Sequence, residues 1–194
     1  KIITTGEGGM VVFKNLEIAN KARILRDHGM SKFKSYWHEY VGFNFRMTNM
    51  QAAIGVAQME RIDELLKRRE KIFENYNQKI KKIENISLIP INNWSKNSFW
   101  LYTLVINNIG EKKRDELLSL LKNRGVECRP AFYPLNRMKP YKKFGQGNYE
   151  ASEYLGTHSI SLPSSSVLTK NEQDYIADAF RKELNNLSLN LNKA

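Results

Sequence analysis

The first ten residues, Lys1-Ile2-Ile3-Thr4-Thr5-Gly6-Glu7-Gly8-Gly9-Met10, set a lysine beside a β-branched run that breaks into a glycine-rich turn. A primary amine held at such a turn can, once deprotonated, condense with a carbonyl to give a Schiff base. The glycines allow backbone angles and close approaches that a side chain would forbid. On this stretch alone the commoner explanation of Lys1 is a solvated strand end. A second concentration of chemistry lies at residues 31–45, irregular and aromatic, with Phe33, Tyr36, Trp37, Tyr40, Phe43 and Phe45, and with His28 and His38 close by. Loops of this kind often bind ligands, although the rings could equally serve to pack the loop onto the body. A third is Arg129-Pro130-Ala131-Phe132-Tyr133-Pro134-Leu135-Asn136, where two prolines fix the chain around an arginine and two rings.

Other chemistries find no support. His28, His38 and His158 are far apart in sequence and lack the spacing of a zinc site. There is no Gly-x-Ser-x-Gly elbow, no HExxH and no Walker loop. The lone Cys128 reads as a small buried residue; it excludes an internal disulfide framework and fits a reducing compartment. With 31 basic and 20 acidic residues, a formal charge of +11, the chain favours anionic partners: nucleic acid, phosphorylated metabolites or acidic surfaces. Tyr141-Lys142-Lys143-Phe144 could stack on and neutralise a single strand, but such residues are few and dispersed. No apolar run approaches the roughly 18 residues of a membrane span, and the start lacks a signal-peptide pattern.

The elements that must hold these residues are legible in outline. Met10 to Phe13 reads as a strand completing a hairpin-like opening. Asn15 caps a helix with Leu16, Ile18, Ala19, Ala22 and Leu25 on one side and Gly29 as its stop. Thr48-x-x-Gln51 is a capping box that opens a long helix, expected to run to about Glu84. Its first turns carry the small residues Ala52, Ala53, Gly55 and Ala57, a crowded interface, and its later turns an ordinary amphipathic arm whose Lys67–Lys71 charge run is a solvated face. Beyond Pro90 follow a strand over Phe99–Ile106, a helix over Glu111–Arg124, a strand-like Val126–Cys128, a short helix over Tyr149–Leu155, and an edge strand near Ser159–Pro163. A second capping box, Thr169-x-x-Glu172, opens the last helix, with Tyr175, Ile176, Ala179, Phe180 and Leu184 on one face, and the asparagine-rich end from Asn185 is expected to fray. The chain lacks an initiator methionine and opens on a strand-like run, so it reads as a portion of a longer one.

Taken in order, several motifs are shared with one family. They are Lys1-x-Ile3-Thr4-Thr5-Gly6-Glu7-Gly8-Gly9-Met10, Arg26-Asp27-His28-Gly29, Gly42-x-Asn44-x-Arg46-Met47-Thr48-Asn49-x-Gln51, Arg129-Pro130 with Phe132-Tyr133-Pro134-Leu135, and Leu162-Pro163-Ser164. In these the sequence resembles the DegT family of nucleotide-sugar aminotransferases, fold type I enzymes that use pyridoxal 5'-phosphate. Tyr36-Trp37-His38 before the Gly42 motif looks most like the perosamine branch, which aminates a nucleotide-linked 4-keto-6-deoxy sugar. The resemblance implies an α/β chain: the end of the large cofactor domain over residues 1–60, a small α+β domain over 61–184 joined to it by the long helix, and a tail over 185–194. It implies Lys1 as the Schiff-base lysine and proton shuttle. It implies Asn44 as a residue that reaches the cofactor phosphate of the other subunit, and Arg46 as a partner of an anion: the donor carboxylate, a substrate phosphate or an interface ion pair. His28, Trp37, His38, Phe132 and Tyr133 become walls for the sugar and its nucleotide. The partners implied are a nucleotide sugar, an amino-acid donor (glutamate) and a second copy of the chain in the cytoplasm, with neither nucleic acid nor membrane and no metal. The family's histidine after Pro-Leu is Asn136 here, and its aspartate for the pyridine nitrogen, its stacked ring and its own-subunit phosphate ligands precede the lysine. A basic nucleic-acid-binding module and a non-catalytic relative acting as a sensor are the competing classes.

Overall fold

The computed structural model describes residues 1–189 and falls into two compact units, Lys1–Ile62 and a second that begins at Asp63. In the first unit, α1 (Leu16–Arg26) starts where the Asn15 side chain accepts the N–H groups of Glu17 and Ile18 at 2.8 and 3.1 Å, satisfying donors that a helix start leaves orphaned. It stops because Gly29, at φ +68°, turns its N–H back onto the Ile24 carbonyl at 2.9 Å. The expected strand at Met10–Phe13 does not form. Its residues have no ladder partner among the described residues, and Met10, Val11 and Val12 lie exposed, since a β-branched run becomes a strand only where a neighbour takes up its hydrogen bonds. Leu16 and Ile18 of α1 are exposed as well.

The single helix expected from Thr48 to about Glu84 is two helices. The capping box of Thr48 and Gln51 opens α2 (Asn49–Met59). A turn at Glu60 and Arg61 follows, with the Arg61 N–H on the Gln58 carbonyl at 3.2 Å, before α3 (Ile62–Ile80) begins. Asp63 and Glu64 in the first turn of α3 suit a helix start electrostatically. At the other end α3 stops at Ile80, short of Glu84: the Ile83 N–H closes a tighter turn on the Ile80 carbonyl at 2.9 Å, and Asn85, at φ +62°, then leads into a strand.

The second unit is an antiparallel sheet under three helices. Strands β1 (Ile86–Leu88), β2 (Tyr102–Ile106), β3 (Arg129–Pro130) and β4 (Ser159–Leu162) lie in the order β1-β2-β4-β3. Alternation along the strands turns Tyr102, Leu104 and Ile106 to the same side as Ile160 and Leu162. There they pack with Ile72, Tyr76 and Ile80 of α3, Leu117 and Leu121 of α4 (Glu111–Asn123), and Phe180 of α6 (Lys170–Leu189). β4, expected at an edge, is central: β2 and β3 flank it and all four of its residues are buried. The third strand begins at Arg129 rather than Val126. A short helix, α5 (Glu150–His158), leads into β4, and the second capping box, Thr169 with Glu172, opens α6.

Three expectations about side chains in this unit are corrected. Arg69, assigned to a solvated face, is 8% exposed and donates through one nitrogen to the carbonyls of Trp100 and Ser164 at 3.0 and 3.1 Å. Residues 185–189 do not fray: the helix continues to Leu189 and Leu187 is buried, an apolar side chain holding the last turns down. The remainder of the expected tail, residues 190–194, lies outside the described residues. Tyr175, placed on the inner face of α6, is exposed and reaches the Arg124 carbonyl at 2.8 Å. Burial pushes the Cys128 thiol up to about 12, so it is an inert packing group.

Candidate active site

Most of the residues singled out in the sequence lie in the first unit. There Asp27 and Asn44 form an antiparallel bridge. The two chain segments are laced by His28 N–H to the Phe43 carbonyl (2.9 Å), Phe43 N–H to Leu25 (2.7 Å) and Phe45 N–H to Arg26 (3.0 Å). The Arg26-Asp27-His28-Gly29 and Gly42-x-Asn44-x-Arg46 motifs, thirteen or more residues apart in sequence, are therefore one structural feature. Its seam admits no side chain. A Cβ on Gly29 would stand 2.0 Å from the Tyr40 carbonyl oxygen, and one on Gly42 would stand 2.1 Å from the Gly29 nitrogen.

The aromatic loop hangs from this seam. A second bridge pairs Met30 with His38, and the Ser31 N–H donates to the Trp37 carbonyl at 2.7 Å. His28 takes a left-handed backbone, φ +59°, and its carbonyl accepts the Nδ1–H of His38 at 2.8 Å. That bond fixes the His38 tautomer and leaves its Nε2 as an acceptor. The Lys34 ammonium sits 4.1 Å from the centre of the half-exposed Trp37 ring, a cation–π contact that orients it. Phe43 and Phe45 stack at 5.1 Å. Arg46 pairs through Nε with Asp27 at 3.3 Å, an ion pair within the chain; both side chains are substantially exposed, so the pair orients Arg46 more than it stabilises the fold.

The Lys1–Gly9 segment rests on α2. The Thr4 N–H donates to the Gln58 side chain at 3.3 Å, and a Cβ on Gly55 would meet the Thr5 methyl at 3.1 Å, which accounts for a small residue at that position. Glycine is required at the turn for two separate reasons. Gly8 has φ +153°, and a Cβ there would clash with Thr5 Oγ1 at 2.6 Å; Gly6, at φ +80°, has open space where a Cβ would stand. A group could therefore approach the backbone closely at Gly6. Lys1 and Asn44 are both exposed on this unit.

Phe132 and Tyr133 belong to the second unit and face differently. Phe132 is 78% exposed, with the Trp100 ring 6.3 Å from its own. Tyr133 accepts a hydrogen bond from Arg114 Nη2 at 2.8 Å. Asn136 donates to Glu153 at 2.9 Å. Ser164, in the Leu162-Pro163-Ser164 motif, donates from its hydroxyl to the Trp100 carbonyl at 2.9 Å, and the Pro163 carbonyl accepts the Tyr76 hydroxyl at 2.8 Å. Arg69, Trp100 and Arg114 escaped the sequence reading. The available signal was phase: Arg69 falls between Leu65 and Ile72–Phe73 on the buried stripe of α3, and Arg114 precedes Leu117 and Leu121 on that of α4. Among the described residues no cluster of His, Cys, Asp or Glu could hold a metal ion, and no helix is long and apolar enough to cross a membrane.

Residues 1–181 match the DegT/DnrJ/EryC1/StrS aminotransferase family. The chain is 38% identical over 185 residues to a GDP-perosamine synthase of Caulobacter vibrioides, covering 95% of this chain and 50% of that protein. It is 35% identical to the GDP-perosamine synthase of Escherichia coli O157:H7, covering 94% of this chain and 49% of that one. The chain thus spans about half the length of the curated relatives it matches. Among solved structures it superposes on Helicobacter pylori PseC, an aminotransferase involved in the biosynthesis of pseudoaminic acid, with a TM-score of 0.88 and 26% identity over 96% of this chain and 51% of that one. With matching sequence pattern, relatives and fold, the chain is a member of the DegT/DnrJ/EryC1/StrS aminotransferase family.

Proposed function

We propose that the chain is part of a pyridoxal phosphate-dependent enzyme that moves an amino group from glutamate to a nucleotide-linked 4-keto-6-deoxy sugar, as in perosamine-type amino-sugar synthesis for surface polysaccharide. The observation that carries it is the glycine-sealed seam that sets His28, His38, Trp37, Asn44 and Arg46 on one feature, in the same compact unit as the Lys1 glycine turn. The 38% identity to a GDP-perosamine synthase supports the sugar class.

The residues present suit the cofactor. Lys1 offers an exposed primary amine, the Gly6 turn is open to a closely placed group, and the exposed Asn44 amide can donate to a phosphate oxygen. When bound, pyridoxal phosphate supplies the electron sink for amino transfer. Lys1 moves a proton at Nζ to and from the reacting carbon. Asn44 acts on the phosphate across a homodimer interface, so each site draws on two copies of the chain. Arg46, oriented by Asp27, presents its guanidinium to a carboxylate or phosphate. His28, Trp37 and His38 wall the sugar, with His38 Nε2 available as an acceptor for a sugar hydroxyl. The place of work is the cytoplasm.

The test uses the full natural protein. Borohydride treatment of the purified enzyme is expected to fix the cofactor on Lys1, and Lys1→Ala to abolish both the adduct and amino transfer to a nucleotide-linked 4-keto sugar. A wild-type protein that shows no cofactor absorbance, or an adduct on a different lysine, refutes the assignment.

A further inference from the structure

The segment that carries Lys1 belongs to no helix or strand, yet its course over α2 is fixed at three points. The Thr4 N–H donates to Gln58 Oε1 at 3.3 Å. One residue later the Thr5 methyl lies 3.1 Å from the place a Cβ on Gly55 would take, and beyond the turn the Met47 methyl lies 3.0 Å from that of a Cβ on Gly8. Thr4, Thr5 and Gly8 thus meet Gln58, Gly55 and Met47 in reverse order, so the segment runs back along α2 from its C-terminal part toward its start. Gly55 and Gln58, three residues apart, share one helix face.

Hydrogen bonds within the segment pass this hold along the chain. Thr4 Oγ1 accepts the Gly6 N–H at 3.0 Å, and Thr5 Oγ1 donates to the Glu7 carbonyl at 2.6 Å. The residue that Gln58 grips is therefore the one that shapes the open Gly6 turn. Thr5, committed through its hydroxyl, is not at liberty to swing its methyl away from Gly55. At its other end α2 begins from the Thr48 cap, two residues after Arg46 and four after Asn44. One helix carries both the hold on the Lys1 segment and the last residues of the seam.

Resting on the aminotransferase assignment above, we infer that Gln58 is a positioning residue for Lys1: its amide oxygen, with the Cβ-free Gly55 beside it, fixes the track from which the lysine is presented, and it touches neither cofactor nor substrate. Chemistry at Nζ is sensitive to such placement, since a 1 Å error in a reacting group costs about a hundredfold in rate. The groups that set the track are side chains and backbone of the same compact unit as Lys1 itself.

The experiment uses the full natural protein, freed of cofactor and then given pyridoxal phosphate. Its readouts are hydrogen exchange of the Thr4 amide by NMR, the rate at which the added cofactor becomes fixable to Lys1 by borohydride, and kcat and KM for amino transfer from glutamate to a nucleotide-linked 4-keto sugar. Gln58→Met keeps the length of the side chain and removes the acceptor. It is expected to speed Thr4 exchange, slow attachment to Lys1 and lower kcat by about two- to tenfold each, the range of one hydrogen bond, with both KM values within about twofold of wild type. Gln58→Glu, which keeps an acceptor oxygen, is expected to restore attachment and kcat. Gly55→Ala separates positioning from folding: alanine is the better helix former, so α2 gains stability, while the added methyl displaces Thr5 by a few tenths of an ångström and slows attachment about three- to sixfold.

Attachment at the wild-type rate in Gln58→Met or in Gly55→Ala overturns the inference, and so does a Gln58→Met defect that Gln58→Glu fails to recover. A raised KM with kcat kept overturns it as well, because Gln58 would then be touching substrate. A wild-type Lys1 that takes up no cofactor refutes this inference and the aminotransferase assignment together. Uptake on Lys1 that depends on Gln58, without amino transfer to any keto sugar, refutes the assignment and leaves the positioning role standing.

Discussion

Replacing Gly42 by alanine tests how the site loop is held. The added Cβ would lie 2.1 Å from the Gly29 nitrogen and 2.5 Å from the His28 carbonyl carbon, both backbone atoms that cannot rotate aside. Reaching even a 3.0 Å contact requires the seam to open by about 0.9 Å. The His28 N–H to Phe43 bond, 2.9 Å in the native seam, and the 2.7 Å Phe43 to Leu25 bond are then both stretched out of range. Two lost bonds at about 1 kcal/mol each, added to about 1–3 kcal/mol for overpacking, raise the free energy of the closed seam by about 3–5 kcal/mol. That corresponds to at least about a hundredfold more opening. Hydrogen exchange followed by mass spectrometry reads this directly. Peptides spanning residues 26–45 should exchange at least a hundredfold faster in Gly42→Ala, whereas those from α3, α4 and α6, in the other compact unit, should not change. Native protection over residues 26–45 in the variant would refute the account of the seam as a side-chain-free contact.

In the second unit, Arg69→Met keeps most of the side-chain volume but strips a donor from the Trp100 and Ser164 carbonyls; urea unfolding should show a loss of about 1–3 kcal/mol. The hydrogen bond from Arg137, with smaller contributions from nearby charges and Tyr133, holds the Glu111 carboxyl below its ordinary value of about 4.5. A carboxyl depressed in the folded state contributes stability that is complete above its unfolded pKa and is lost as pH falls through the folded one. Arg137→Gln should therefore flatten the acid side of the stability profile below about pH 4.5 while leaving its shape above pH 6 unchanged, as measured by urea midpoints across pH.

What was legible in the sequence was what a few adjacent residues decide. Asn15, Thr48-x-x-Gln51 and Thr169-x-x-Glu172 open their helices as expected, because a cap is satisfied within one turn. The run at Met10–Phe13 misled because strand propensity says nothing about whether a partner is present. β1 passed unnoticed: three residues carry too short an alternation to register. The charge run at Lys67–Lys71 read as solvated since charge was weighed above phase, yet Arg69 sits on the apolar stripe and is satisfied by two carbonyls more than thirty residues away. For the site, the motifs named the residues of the seam, but nothing local declared that Gly29 and Gly42 touch backbone to backbone. Nor could adjacency in the chain show that Tyr133 is spent on Arg114 while Phe132 is not.

The sheet order carries a consequence for how the second unit comes into being. β2 finishes at Ile106 and its central partner β4 starts at Ser159, so roughly 50 residues must be made before the middle of the sheet can close; at 5–20 residues per second this is several seconds of synthesis. During that interval β1 and β2 can pair as a two-stranded ribbon, and Leu104 and Ile106 have only α3 and then α4 to cover them until Ile160, Leu162 and Phe180 arrive. A two-stranded ribbon is marginal alone, and long-range pairing is slow to form. The emerging polypeptide thus carries a half-covered apolar sheet face through the middle of its production, and chaperone demand during translation should peak between the emergence of β2 and that of α6.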